Sequence, residues 1–390
     1  MNYLTGVLAE ISIILVMGAI QWQIGRAAYA YIVRRLKPPA AVPLRIVLLA
    51  CGTAVMMGLL FSFPMASRLP IYSRFFGWLR GGSLLWALSS SAAWLIFRIA
   101  RLFRLTPDQV DPQRRAILHA AGSVAIAAPF AALGFGTLIE RTAFRVREID
   151  IPVPDLHPDL EGLRLVQLSD IHLSPFLSEK EFARVVDAAN ELRPHVTLVT
   201  GDLISMRGDP IDRCLYQISR LRADSGILAC MGNHEVYAHV ETYTAAQGAR
   251  LGIPFLRSQT RLLRFGGAAI NFAGVDYQRM NRRTHYLQDT GRLIVPGALN
   301  VLLSHNPDVF PTAARQGWDF TIAGHTHGGQ VNVEILNQDW NVARFYTPYI
   351  YGLYRSGRSS IYVTRGIGTI GMPARLGAPP EISVLRLRKA

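Results

Sequence analysis

Five short apolar runs in the second half of this 390-residue chain end in side chains that can bind a metal ion. LRLVQL leads into Ser169-Asp170-Ile171-His172, VTLVT into Gly201-Asp202, and ILACM into Gly232-Asn233-His234-Glu235. NVLL leads into Ser304-His305, and FTIA into Gly324-His325-Thr326-His327. Five of the ten histidines fall in these clusters, so the histidine content is concentrated where the apolar runs stop. Carboxylates, imidazoles and one amide oxygen make a mixed oxygen and nitrogen donor set, which suits Mn, Fe or Zn. Without thiolates, a cysteine-type structural zinc site is excluded. Taken singly, each signal has a plain alternative: Gly-Asp is a turn, and Asn-His after glycine is an Asx-turn. Five in one domain imply a shared site.

Such groups need elements that deliver them to one edge. In α/β sheets, ligands collect beyond the carboxyl ends of strands, where the loops are free to diverge. The runs at 163–170, 196–202, 226–233, 300–305 and 319–325 read as buried strands, and IYVTRG and EISVLRL near the end as further strands. Ser178 followed by Glu181 is a capping box, predicting a helix to about Leu192. Strand and helix alternation predicts an α/β layered domain. In FTIAGHTHGGQ a still-extended backbone would point His325 and His327 to one side. Gly324 would let the strand end turn sharply, and Gly328 and Gly329 would let backbone approach the site.

The first 140 residues have another texture. Half of the chain is hydrophobic and only 17% charged, and four apolar stretches, at about 3–25, 46–63, 81–97 and 116–139, account for much of this. Each approaches the ~17–25 residues that cross a bilayer as a helix. The net charge of +14 invites a nucleic-acid reading, but residues 1–150 hold 16 Lys/Arg against 6 Asp/Glu and the remainder 25 against 21. The basicity belongs to the apolar half, so no nucleic-acid partner is expected. Arg26, Arg34, Arg35, Lys37 and Arg45 follow the first stretch, and Arg98, Arg101, Arg104, Arg114 and Arg115 the third. Only Arg68, Arg74 and Arg80 follow the second. The richer loops belong in the cytoplasm, which puts everything after residue 140 outside it. Arg114-Arg115 ahead of an apolar run also fits an export signal, and a stop-anchor helix has the same consequence. In a bacterium this means the inner membrane, with the α/β domain that carries the metal-capable residues on the extracytoplasmic side. The expected organisation is a four-helix transmembrane region at 1–140, a linker at 141–155 and the α/β domain at 156–390. Cys51, Cys214 and Cys230 form no CxxC and read as small apolar residues.

The ordered set DxH, GD, GNHE, a lone His and GHxH across residues 170–327 resembles the calcineurin-like metallophosphoesterases. GHTHGGQ, with the later TRGIGTIGMPARLGAPPEI, looks like the family's membrane-anchored or exported members. The resemblance implies an α/β sandwich of two sheets flanked by helices, a binuclear centre of two divalent ions (Mn, Fe or Zn), and metal-dependent hydrolysis of phosphoric esters. It assigns Asp170, His172, Asp202 and His327 to one ion. Asp202, Asn233, His305 and His325 go to the other, with Asp202 bridging. A hydroxide between the ions would attack phosphorus. His234 would serve the leaving group as catalytic residue, and Glu235 would orient the imidazole or only solvate its loop. Arg279, Arg282 and Arg283 could receive a substrate phosphate or diphosphate, or form a solvated loop. Ile367, Ile370 and Met372 either pack in the core or face a lipid chain.

Membrane residence points to lipid-linked phosphate esters or diphosphates as substrate. A nucleotide-lipid pyrophosphatase acting on a UDP-linked acylated sugar is the enzymatic alternative, and a non-catalytic membrane sensor or scaffold the alternative of another class. Retention of all seven ligand positions and His234 speaks against the last.

Overall fold

The computed structural model describes residues 3–61, 74–102, 111–331 and 341–390. It divides into two compact units, Met1–Leu138 with Gly371–Ala374, and Ile139–Ile370 with Arg375–Ala390.

The first unit holds four long apolar helices: α1 (Tyr3–Arg35), α2 (Pro38–Leu60), α3 (Arg74–Leu102) and α4 (Pro112–Leu138). All four are long and apolar enough to cross a membrane. Residues 62 and 63 of the second expected span, and Arg68 and Arg104 of the flanking loops, lie outside the described residues. Arg26, Arg34 and Arg35 are in α1 and Arg45 is in α2, leaving only Leu36 and Lys37 between these helices, so most of this expected loop is helix. Leu15, Trp22, Leu49 and Val124 point outward and are exposed, as helices apolar on most faces require of a lipid-facing surface.

Polar and small residues face inward instead. Gln21 Nε2 of α1 donates to Ser90 Oγ of α3 at 3.0 Å, and Trp86 Nε1 donates to Gln21 Oε1 at 3.2 Å. Such contacts join helices where apolar burial gives little driving force. A Cβ added at Gly58 of α2 would fall on Ser83 Oγ and Leu79 O of α3. Gly58→Leu is therefore expected to destabilise the α2–α3 pairing by about 1–3 kcal/mol, read as a lower unfolding midpoint in detergent. Gly52→Leu, at a position with no atom within 4 Å, should leave the midpoint in place.

The second unit is a sandwich of two sheets. The first sheet runs in the order β1 (Arg145–Val153), β11 (Glu381–Lys389), β2 (Arg164–Leu168), β3 (Val196–Thr200), β4 (Ile227–Cys230). The second runs β5 (Gln259–Phe265), β6 (Ala268–Gly274), β7 (Leu299–Leu303), β8 (Phe320–Ala323), β10 (Ser359–Val363), β9 (Gly352–Ser356). Period-2 alternation sorts the side chains between layers. Leu165, Leu198 and Leu228 meet Phe272, Val301 and Phe320 between the sheets. Val166, Val199 and Ala229 turn to the outer face, packing with Phe182 of α5 (Glu179–Glu191) and Cys214 and Leu215 of α6 (Ile211–Ser219). Ala273 and Leu302 cover the far side with Trp318 and Val309. The Ser178–Glu181 capping box forms at the start of α5, and Cys214 and Cys230 are buried thiols.

β2, β3 and β4 are mutually parallel, as are β6, β7 and β8. Parallel pairing places the carboxyl ends of neighbouring strands, and hence the polar motifs, at one edge of each sheet.

The expected linker at 141–155 is corrected by the structure. Residues 145–153 form β1, parallel to β11 at the sheet edge. RVREIDIPV buries Ile151 and Val153 while Arg386 bonds Asp150 at 2.9 Å and Glu148 at 2.8 Å. Pro152 fits this strand because β1 lies at the sheet edge, where a missing N–H is tolerated. The β5–β6 hairpin turns on Gly266-Gly267, a turn signal that was open to reading in the sequence.

Candidate metal centre

Each motif begins where a strand stops and the backbone bends sharply. Asp170, His172, Asp202, His325 and His327 all have positive φ, between 48° and 78°. Non-glycine residues avoid this region at a cost of about 1–3 kcal/mol each, and such strain gathers at functional sites. The expectation of an extended backbone through His325 and His327 is therefore corrected: β8 ends at Ala323, and His327 opens a short 3-10 turn. The glycine roles change with it. A Cβ on Gly324 would fall on Ser169 Oγ and Asp170 Oδ2, so this glycine allows close approach rather than a turn. Gly329, at φ 86°, supplies turning.

Hydrogen bonds lock the motif loops together. Asp170 N–H donates to Gly201 O and His172 N–H to Asp202 O, joining the ends of β2 and β3. The Asp170 carboxylate accepts the His325 N–H at 3.0 Å. Asp202 Oδ1 accepts the His234 N–H at 2.9 Å. Asp202 Oδ2 then lies 3.0 Å from His305 Nε2, 3.6 Å from His172 Nε2 and 4.0 Å from His234 Nε2. His327 Nε2 sits 3.3 Å from Asp170 Oδ1 and 3.1 Å from His172 Nε2. Two groups of expected ligands emerge, Asp170 with His172 and His327, and Asp202 with His305 and His325; within each, the ligand atoms lie within 4.8 Å of one another. Asn233 Oδ1 is buried without a hydrogen-bond partner among the described residues. All seven expected ligands thus come to one strand-end edge.

The donor set fits divalent cations. Carbonyl oxygens accept only from N–H, so Ile204 O at 3.1 Å, Thr200 O at 2.6 Å and Ser205 O at 2.5 Å hold protons on Nδ1 of His172, His305 and His234 respectively. The Nε2 atoms of His172 and His305 thus face the cluster, the arrangement in which histidines ligate metals, while His234 turns its Nε2 to the same edge as a non-ligand. Burial, with the charge of His234, lowers His172 to about 3. Burial, with His305, lowers His325 to about 3. These two rings are neutral and carry free lone pairs. Burial pulls His305 down, but Asp202 and Asp170 outweigh it and raise it to about 10, so a cation would displace its Nε2 proton. Burial pushes Asp202 up, but His305 and His234 overcome it and keep it ionised well below the usual range. His327 Nδ1 faces Arg375 Nη2 at 3.3 Å, a contact that must give way for Nε2 to offer a lone pair inward.

Glu235 neither orients His234 nor solvates its loop. It is fully buried and accepts the N–H groups of Asp202 at 3.0 Å, Leu203 at 2.8 Å and Gly232 at 2.8 Å. Burial, then the nearby Asp202 charge, raises its pKa. Arg375 is also fully buried. Its guanidinium donates to the carbonyls of Gly368, Ala378 and Arg365, clasping the C-terminal loop behind His327. Ile367 packs in the core with the α5–α6 layer.

The three candidate arginines separate. Arg283 Nη2 pairs with Asp308 Oδ2 at 3.1 Å and also bonds Tyr346 O, so it is held away as a structural tie. Arg279 and Arg282 line a cavity of about 490 Å³. Tyr277 forms a wall of it, with its ring centroid 5.6 Å from that of His325.

Comparison with known proteins agrees with this geometry. The family described as calcineurin-like phosphoesterase matches residues 163–329. The chain is 32% identical over 259 residues to a "Transmembrane protein with metallophosphoesterase domain" of Danio rerio, covering 63% of this chain and 58% of that protein. The Bos taurus protein of the same description is 29% identical over 296 residues, covering 72% and 65%. "UDP-2,3-diacylglucosamine pyrophosphatase LpxG" of Chlamydia trachomatis is 24% identical over 313 residues, covering 67% and 94%. The chain spans less than two thirds of the length of the two transmembrane relatives. Residues 163–329 are thus a calcineurin-like phosphoesterase domain, on a chain whose N-terminal part carries four helices long and apolar enough to cross a membrane.

Proposed function

We propose that this protein is a membrane-anchored two-metal phosphoesterase acting on phosphate mono- or diesters or diphosphates, with a lipid-linked substrate. The observation that carries this reading is the convergence of Asp170, His172 and His327 beside Asp202, His305 and His325 at one strand-end edge. Asp170, His172, Asp202 and His327 would hold one ion; Asp202, Asn233, His305 and His325 the other. The ions, when bound, supply water activation near neutral pH and neutralisation of charge on the phosphoryl oxygens. Asp202 is suited to serve both sites, since both groups of imidazoles approach its Oδ2.

His234 does the remaining proton work. Ser205 O fixes its Nδ1–H, and its side chain is 17% exposed, so Nε2 can reach a substrate oxygen. In its doubly protonated form, with Nδ1–H held by Ser205 O, it would give the Nε2 proton to the departing oxygen and be left as the neutral Nδ1–H ring. General acid catalysis of this kind contributes about 10²–10⁴-fold. His234→Asn should therefore lose that factor on an alkyl phosphodiester, lose much less on bis(p-nitrophenyl) phosphate, whose leaving group needs no proton, and retain its metal content. Equal losses on both substrates would remove His234 from this role.

The reading itself is tested with purified full-length protein and Mn²⁺ on p-nitrophenyl phosphate and its bis-ester. Absence of metal-dependent turnover would refute it. A second reading, pyrophosphatase action on a nucleotide-linked lipid, is favoured by the similarity to the Chlamydia trachomatis protein. Comparing lipid extracts of cells with and without the protein separates the two by which phosphate species accumulates. The Lys/Arg distribution supports an extracytoplasmic domain, and a C-terminal reporter active only in the cytoplasm would reverse that orientation.

A further inference from the structure

The cavity beside the metal centre has a chemistry of its own. It is lined by Arg279, Arg282, His285, Asn281, Gln288 and the Tyr277 ring among others, none of them aliphatic and none acidic. At about 490 Å³ it is within the ~300–1,000 Å³ of small-molecule sites. Arg282 N–H donates to Arg279 O, but neither guanidinium has a hydrogen-bond or ion-pair partner among the described residues, whereas nearby Arg283 is neutralised by Asp308 and Arg257 by Asp276. Two uncompensated guanidiniums in a concavity without carboxylates attract an anion, and the guanidinium fork matches phosphate oxygens.

The cavity is physically joined to the catalytic edge. The Tyr277 ring contacts His325, and its centroid lies 6.2 Å from that of His305. Asn306, next to His305 in sequence, donates to Gln278 O at 2.7 Å and contacts Tyr286 Oη at 3.1 Å, both cavity residues. One aromatic ring thus separates the cavity from the phosphate that would react. We infer that this cavity is a subsite for a second phosphate of the substrate, which makes the preferred substrate class a diphosphate rather than a simple monophosphate ester. This deepens, and rests on, the phosphoesterase reading. The polar lining directs a headgroup into the cavity and excludes an acyl chain as its occupant.

The test uses the full-length protein in detergent with excess Mn²⁺. ADP and AMP are compared as inhibitors of bis(p-nitrophenyl) phosphate hydrolysis and, independently of turnover, as titrants in calorimetry. The native protein should bind ADP at least about tenfold more tightly than AMP, the equivalent of one charge-assisted bond. In Arg279→Ala/Arg282→Ala the ratio should fall below about threefold, and Arg279→Lys/Arg282→Lys should recover most of it. An equal affinity for ADP and AMP in the native protein, or a ratio untouched in the alanine pair, would overturn the subsite. Loss of metal-dependent turnover alone would count against the phosphoesterase reading while calorimetry still decided the subsite.

Discussion

Asp202→Asn is expected to lower turnover by about 10²–10⁴-fold and to reduce bound metal below two ions per chain. The substitution is isosteric, so the loop keeps its shape, but an amide nitrogen or a weak carbonyl replaces the carboxylate oxygen facing three imidazoles. Oδ2 is 3.0 Å from His305, 3.6 Å from His172 and 4.0 Å from His234. Before a metal binds, His305 is raised to about 10 by Asp202 and Asp170 against the effect of burial, so Asp202 also holds this ring in place for the incoming ion. A carboxylate shared by two cations contributes charge and position to both, and each 1.4 kcal/mol of transition-state stabilisation lost with it is about tenfold in rate. Metal analysis by mass spectrometry and steady-state turnover check the two halves separately. A variant with native turnover and two ions would exclude Asp202 as the shared ligand.

Glu235→Gln should damage both stability and metal affinity without touching substrate. Glu235 Oε2 accepts from Asp202 N and Gly232 N, and Oε1 from Leu203 N. Gln must present an amide N–H to at least one of these donors, leaving a buried N–H unpaired at a cost of about 1–3 kcal/mol. Glu235→Ala strands all three and should cost about 3 kcal/mol or more. Because two of the three bonds hold the backbone of Asp202 and Leu203, metal affinity should also fall, by about 10–100-fold. Unfolding midpoints and chelator competition measure these effects. An unchanged midpoint with unchanged affinity would show that the loop holds Asp202 unaided.

Much of the site was legible because metal chemistry constrains residue type and strand-end position together. Asp170, His172, Asp202, Asn233, His305, His325 and His327 are recognisable as donors, and each follows an apolar run. The four apolar helices were equally plain, since length and hydrophobicity alone decide them. Other assignments went astray where a residue's role depends on a partner far along the chain. Arg283 resembles its neighbours in sequence, yet Asp308 claims it. Glu235 sits beside His234, yet its carboxylate turns to backbone more than thirty residues earlier. The 141–155 segment reads as a linker because its partner strand is the last in the chain.

By itself, then, the sequence determined which side chains can ligate, their order, the α/β alternation and the apolar N-terminal helices. These follow from local chemistry and periodicity. Only the tertiary structure decided which donors share a point, which nitrogen of His172, His305 and His234 faces inward, and which arginines stay uncompensated beside them. Those outcomes depend on sheet register and left-handed bends at strand ends, which bring together atoms separated by as many as 157 residues, as between Asp170 and His327. Local propensity carries no information about such meetings; packing of the two sheets does.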